Sequence, residues 1–193
     1  DIGYFDRVIS KNPDDAAAYY FRGLAQLAQG NFELASLDLE ESYSLGLLLN
    51  EVRANRGYAR LKSGDFAGAH GELNTALESE PQNALFNAYF GEYQMAVGNF
   101  DEALRLLGNA NELDPDLGLA YLIIGKINNS LGLENSAREI LATSVGLELS
   151  SAPDYVERAK FHTSFGEHDL ALLDLDRAIE IIPNRPEYYE QRA

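Results

Sequence analysis

The chain has 193 residues, and 31 acidic against 15 basic side chains give it a formal net charge of −16 at pH 7. Hydrophobic residues make up 46% and charged residues 24% of the sequence, which is typical of a folded protein and too apolar for a disordered acidic tail. The acidity argues against nucleic acid as a partner, because duplex binding depends on neutralising phosphates with Lys and Arg. The absence of cysteine excludes disulfides, thiolate metal sites and thiol nucleophiles.

No apolar run approaches the length of about 18 residues that a membrane span needs, and the first residues do not resemble a signal peptide. We therefore expect no membrane insertion and a cytoplasmic location, with a periplasmic or other extracytoplasmic location left open by the cysteine content. The sequence begins at Asp1 rather than Met, which indicates that the native N-terminus lies outside it.

Small residues recur along the chain with a period of 34 residues. One series lies where turns are expected and consists of Gly30, Gly64, Gly98, Gly132 and Gly166. A second lies within predicted helices and consists of Gly23, Gly57, Gly91 and Gly125, followed by Ala159 and Ala193. Glycine costs about 1 kcal/mol relative to alanine inside a helix, so the second series indicates close helix–helix approach. The first series predicts the left-handed residue that ends a helix.

In chain order, residues 1–15 match the end of one repeat unit, and residues 186–193 match the start of another. Between them lie five complete units at 16–49, 50–83, 84–117, 118–151 and 152–185. Each unit is predicted to hold a helix, a turn and a second helix, so that 1–193 is a single array. The polar residues after the turn glycines are predicted to cap the second helices, as Asn31, Asp65 and Asn99.

The units also share glycine, alanine and leucine in a fixed order, which some of them extend with a proline. The series reads Gly57…Ala69…Leu73…Ala76…Pro81 in one unit and Tyr121…Gly125…Ala137…Leu141 in another. This order resembles the tetratricopeptide repeat family, and the resemblance covers the whole chain. It implies an all-α fold, an α-solenoid of stacked 34-residue helix–turn–helix repeats wound as a right-handed superhelix.

The sequence contains no recognisable catalytic constellation. Of the three histidines, His162 and His168 are six residues apart, which does not place them on one helix face, and His70 is remote in sequence. The H-E-x-x-H, G-x-S-x-G, Walker A and G-x-G-x-x-G motifs are all missing. We therefore expect no catalytic residue, no metal and no cofactor, and we do not expect an enzyme.

The resemblance implies that the first helix of each unit lines a concave groove that holds a partner segment. Carried over position by position, the groove residues are Tyr20, Leu24, Leu27, Asn55, Tyr58, Leu61, Leu85, Tyr89, Met95, Leu122, Ile123, Lys126, Asn129 and Lys160. They predict a largely apolar groove that is more polar around Lys126, Asn129 and Lys160. Exposed apolar patches mark interaction sites, and the alternative is that neighbouring helices or missing flanking repeats bury these residues.

The leading function is therefore a non-enzymatic protein–protein interaction scaffold that binds a partner peptide or helix in this groove. Two alternatives remain: a regulatory or assembly segment of a larger, catalytic protein, and a self-associating structural array. Tyr188, Tyr189 and Ala193 continue the core pattern to the last residue, which favours a larger parent array and would permit end-to-end self-association.

Overall fold

The computed structural model describes residues 2–192, so that Asp1 and the Ala193 of the predicted core series lie outside the described residues. Within this range the chain forms helices, turns and loops and no strand. The helices of the described residues are α1 (Ile2–Lys11), α2 (Ala16–Ala28), α3 (Phe32–Ser44), α4 (Asn50–Lys62), α5 (Phe66–Ser79), α6 (Ala84–Ala96), α7 (Phe100–Leu113), α8 (Gly118–Ser130), α9 (Glu134–Thr143), α10 (Ala152–Ser164), α11 (His168–Ile181) and α12 (Pro186–Arg192).

The helices pack in pairs along the chain. The most extensive contacts join α2 to α3, α4 to α5, α6 to α7, α8 to α9 and α10 to α11, and each pair then packs against the next. The predicted all-α solenoid of helix–turn–helix repeats is therefore confirmed. None of the helices in residues 2–192 is long and apolar enough to cross a bilayer.

Glycines in the first helices lie where the two helices of a unit approach most closely. A Cβ built on Gly125 would lie 2.6 Å from the Cγ of Leu141. A Cβ on Gly91 would lie 3.0 Å from the Cγ of Leu107. Real side chains rarely approach this closely, so a larger residue would push the helices apart. The repeated glycine thus sets the spacing of the helix pair, as the sequence predicts.

The turns agree with the sequence-based predictions, except that two of the predicted helix caps are not formed. All five turn glycines have positive φ angles, from 74° at Gly30 to 89° at Gly64. The carboxylate of Asp65 accepts a hydrogen bond from the backbone N–H of Gly68 at 2.9 Å, which confirms that cap. The prediction is wrong for Asn31 and Asn99, because neither side chain caps its helix. Each instead donates its amide to a glutamine of the preceding helix, Gln26 or Gln94.

Candidate functional site

The structure buries half of the predicted groove residues. The buried side chains are those of Leu27, Asn55, Tyr58, Leu61, Tyr89, Leu122 and Ile123. Tyr20, Leu24, Leu85, Met95 and Lys126 are half-buried, and only Asn129 and Lys160 are exposed. The buried side chains therefore form part of the core instead of an open groove wall, because adjacent first helices pack directly on one another.

Tyr58 of α4 and Tyr89 of α6 form a layer on the face that the repeat pattern assigns to the groove. Their rings stack with centroids 3.9 Å apart and planes 10° from parallel. The hydroxyl of Tyr89 donates a hydrogen bond to Oδ1 of Asn55 at 3.2 Å. Burial, together with the neighbouring carboxylates of Asp154 and Glu92, raises the pKa of both phenols above the usual value. This tyrosine layer is therefore uncharged and fixed in place between the second and third units.

Five charged side chains meet beside this layer, and we call them the concave ion cluster: Lys62, Glu92, Lys126, Asp154 and Glu157. The ammonium of Lys62 lies 2.9 Å from Oε1 of Glu92 and 3.1 Å from Oδ1 of Asp154. The ammonium of Lys126 lies 3.6 Å from Oε1 of Glu92 and 3.1 Å from Oε2 of Glu157. The cluster thus joins the first helices of four successive units, α4, α6, α8 and α10.

Within the concave ion cluster, mutual attraction opposes the effect of burial on the ionisation of Lys62 and Glu92. Burial alone would lower the pKa of Lys62, but Glu92 and Asp154 raise it above the usual value. Burial alone would raise the pKa of Glu92, but Lys62 and Lys126 lower it. At Asp154 burial prevails, and the pKa of that carboxyl is raised although Lys62 opposes the shift.

Two cavities flank α10 and contain the accessible part of the predicted groove. The first has a volume of about 520 Å³ and is lined by Asn129, Glu134, Lys160, Phe161 and Phe165, among others. The second, of about 510 Å³, lies towards α12 and is lined by Pro153, Val156, Lys160, Arg185 and Tyr188, among others. Lys160 borders both cavities. The exposed predicted residues are therefore gathered around α10.

One histidine takes part in a buried contact. His162 is fully buried, and its Nδ1 lies 2.8 Å from Oε2 of Glu167. Burial alone would raise the pKa of Glu167, but hydrogen bonds with Arg138 and His162 lower it. These contacts fix the turn between α10 and α11. No group of three or more His, Asp or Glu side chains in the part of the chain that the structure describes is arranged to hold a metal ion.

Models of known protein families match the chain in the region of these repeats. Tetratricopeptide repeat models match residues 2–43 and 60–127, which together make up more than half of the chain. The chain belongs to the tetratricopeptide repeat family. Proteins with this fold generally mediate protein–protein interactions and are generally non-enzymatic.

Individual relatives agree with this assignment. The chain is 22% identical over 199 residues to DnaJ homolog subfamily C member 3 of Bos taurus, and the match covers 93% of this chain and 39% of the bovine protein. It thus spans about two fifths of the length of that curated relative. A thermophilic tetratricopeptide repeat protein of Thermus thermophilus has a similar structure, with a TM-score of 0.72, 20% identity and coverage of 92% of this chain and 96% of its own. YrrB, a tetratricopeptide repeat protein described as having an unusual peptide-binding site, has a TM-score of 0.51, 19% identity and 96% coverage of both chains.

Proposed function

We propose that this chain is a non-catalytic scaffold that binds a segment of a partner protein in the two cavities flanking α10. The observation that carries the proposal is that the accessible predicted groove residues, Asn129 and Lys160, line these cavities. The family generally mediates protein–protein interactions, and the peptide-binding site described for YrrB supports a peptide as the ligand. Of the other predicted groove residues, Lys126 helps to hold α10 in position through its ion pair with Glu157.

The lining of the cavities indicates the chemistry of the partner segment. Phe161 and Phe165 are half-buried and offer an apolar wall to one large side chain. Glu134 and Glu157 line the cavity that contains Phe161 and Phe165, against the single basic residue Lys160, and the whole chain carries a net charge of −16. A segment with an apolar anchor flanked by Lys or Arg complements this surface, because opposite charges favour encounter while apolar burial supplies affinity.

A displayed library of random 12-residue peptides tests the proposal. We expect selected binders to combine an aromatic or aliphatic residue with basic neighbours. Phe161→Ala should weaken a selected peptide by about tenfold or more, because burying one such side chain contributes roughly 1.5–3 kcal/mol. Glu134→Lys should weaken peptide binding more at low salt than at high salt, because salt screens exposed charges.

Matched variants outside the two cavities control this experiment. Phe66→Ala removes a phenylalanine that is 44% exposed on α5, and Asp101→Lys reverses an exposed charge on α7. Both should leave peptide affinity unchanged. Binders that respond to these variants and not to Phe161→Ala would place the interaction outside the cavities and contradict the proposal.

A second candidate is a regulatory or assembly segment of a larger, catalytic protein. The observation that favours it is that the chain spans about two fifths of the length of its bovine relative. Domain composition of the full-length protein and partner capture with and without this segment separate the two functions. A self-associating array would instead be detected by concentration-dependent light scattering.

A further inference from the structure

Helix α3 carries apolar residues on two sides, and only one of these sides is covered. Ala35 and Leu39 on the inner side are completely buried. Leu34 and Leu37, one turn apart on the opposite side, are 52% and 67% exposed. A helix that is covered on one side normally carries polar residues on the other, so these leucines are not explained by the packing of the unit. The equivalents of Leu37 in the next three units are Gly71, Arg105 and Glu139.

The link from α3 to α4 adds two further exposed leucines at the end of α3. Leu48 is 64% exposed and Leu49 is 50% exposed. The link is held against α3, because the backbone N–H of Leu47 donates to the carbonyl oxygen of Ser42 at 3.2 Å. Leu49 begins α4 without a side-chain cap, whereas Asp15 caps α2 at the equivalent position. Leu49 thus gives up a cap and stays half exposed, and a local cost of this kind is typical of functional positions.

The charges beside these leucines are all negative. Residues 32–44 form α3 and contain four carboxylates and no basic side chain. Asp38 and Glu40 are paired with arginines of the first helices. Glu33 and Glu41 are exposed and take part in none of the ion pairs within residues 2–192. Exposed leucines beside unpaired carboxylates favour a partner that combines apolar side chains with positive charge.

We propose that an amphipathic, basic helix of a partner protein docks on the α3 face, which consists of Leu34, Leu37, Glu41, Leu48 and Leu49. Apolar residues that recur every three or four positions on the partner helix cover the leucines. A lysine or arginine between them pairs with Glu41, which lies one turn beyond Leu37 on the same side of α3. Leu34 and Glu41 are separated by about 10 Å along the helix axis, so the partner helix needs about three turns or more.

Two further observations define the proposal. A second copy of this chain is disfavoured as the occupant, because α3 is acidic and the chain carries a net charge of −16. The α3 face contributes no residue to the cavities flanking α10, so this inference is independent of the proposed function.

Two designed peptides test the α3 face. The lysine probe is an alanine-based helix of about 16 residues, with two leucines one turn apart, a lysine one turn further on and a leucine near the other end. The glutamate probe has glutamate in place of the lysine. Fluorescence anisotropy at low salt measures both dissociation constants. We expect the parent chain to bind the glutamate probe about fivefold more weakly than the lysine probe, because the substitution replaces attraction to Glu41 by repulsion.

A leucine variant tests the apolar part of the contact. Leu37→Ser should weaken the lysine probe about tenfold or more, because the probe no longer buries that side chain. Leu173 occupies the equivalent position of the fifth unit and is 54% exposed. Leu173→Ser is therefore the matched control and should leave the affinity for the lysine probe unchanged.

A charge reversal tests the ionic part of the contact. Glu41→Lys should invert the preference, so that the glutamate probe binds about fivefold more tightly than the lysine probe. Glu112 is an exposed glutamate on α7. Glu112→Lys makes the same change of net charge and should keep the preference of the parent chain for the lysine probe.

Three outcomes would overturn the proposal. Equal affinity of the lysine probe for the parent chain and for Leu37→Ser, with identical circular dichroism, would show that the exposed leucines take no part. A retained preference of Glu41→Lys for the lysine probe would mean that the acidic chain as a whole, and not the α3 face, attracts the peptide. Dimerisation of the parent chain in analytical ultracentrifugation that Leu37→Ser abolishes would identify a second copy as the occupant.

Discussion

At the scale of single residues, an ion pair between the two helices of a unit recurs at equivalent positions of the repeats. Arg158 donates from Nε and Nη2 to the carboxylate of Asp174 at 2.8 and 2.6 Å, and from Nη1 to the carbonyl oxygen of Ser144 at 2.6 Å. The pairs Arg22–Asp38 and Arg56–Glu72 have the same spacing of 16 residues. The third unit has Phe90 and Leu106 at these positions, both buried. A helix pair thus accepts either two opposite charges or two apolar side chains here.

Asp174→Leu should destabilise the chain by about 3–5 kcal/mol, because it leaves the buried guanidinium of Arg158 without its counter-charge. Arg158→Phe combined with Asp174→Leu recreates the apolar pair of the third unit and should cost less than the single change. Urea denaturation followed by circular dichroism measures both free energies of unfolding. A double variant less stable than Asp174→Leu would contradict the equivalence of the two kinds of pair.

At the scale of helices, glycine has two opposing effects: it allows two helices to pack closely, but it lowers the intrinsic stability of the helix that contains it. Gly125→Ala should lower the free energy of unfolding by about 1–3 kcal/mol, because its Cβ would crowd the side chain of Leu141. Gly108 lies on α7 with nothing within 4 Å of an added Cβ, so Gly108→Ala should raise stability by up to about 1 kcal/mol. Thermal denaturation of the two variants makes the comparison. Equal effects at the two sites would mean that the Gly125 position does not set the helix spacing.

The helices were predictable from the sequence because their determinants are local and repeated. The 34-residue period identifies the turn glycines, and each has the positive φ that a helix end requires. The caps at Asn31 and Asn99 were not predictable from residue type, since an asparagine amide can donate to a nearby glutamine as readily as its oxygen can cap a helix. The ion pair of Arg158 and Asp174 could have been found from the sequence. An arginine followed 16 residues later by an acidic residue recurs at the same positions of the 34-residue unit.

At the scale of the whole molecule, the candidate site depended on the curvature of the stack, which a repeat pattern does not specify. The pattern assigns Tyr58, Tyr89 and Lys160 to one face, yet only Lys160 is exposed. The contact between Lys62 and Asp154 spans 92 positions, which is not a multiple of the period. Small rotations between successive units add up over the array, and their sum decides which distant side chains meet.

The same additive architecture predicts how protection against hydrogen exchange varies along the chain. α1 has no buried residue and α12 has only Tyr188, whereas α6 buries every residue from Phe86 to Glu92. Because each repeat is stabilised by its neighbours, local unfolding should begin at the ends. Hydrogen exchange followed by mass spectrometry should therefore find α1 and α12 least protected and α6 most protected. Protection that rises with protein concentration only in α1 and α12 would indicate end-to-end association. Protection of α1 equal to that of α6 in dilute solution would contradict the prediction, because a helix without buried residues has too few contacts to resist opening.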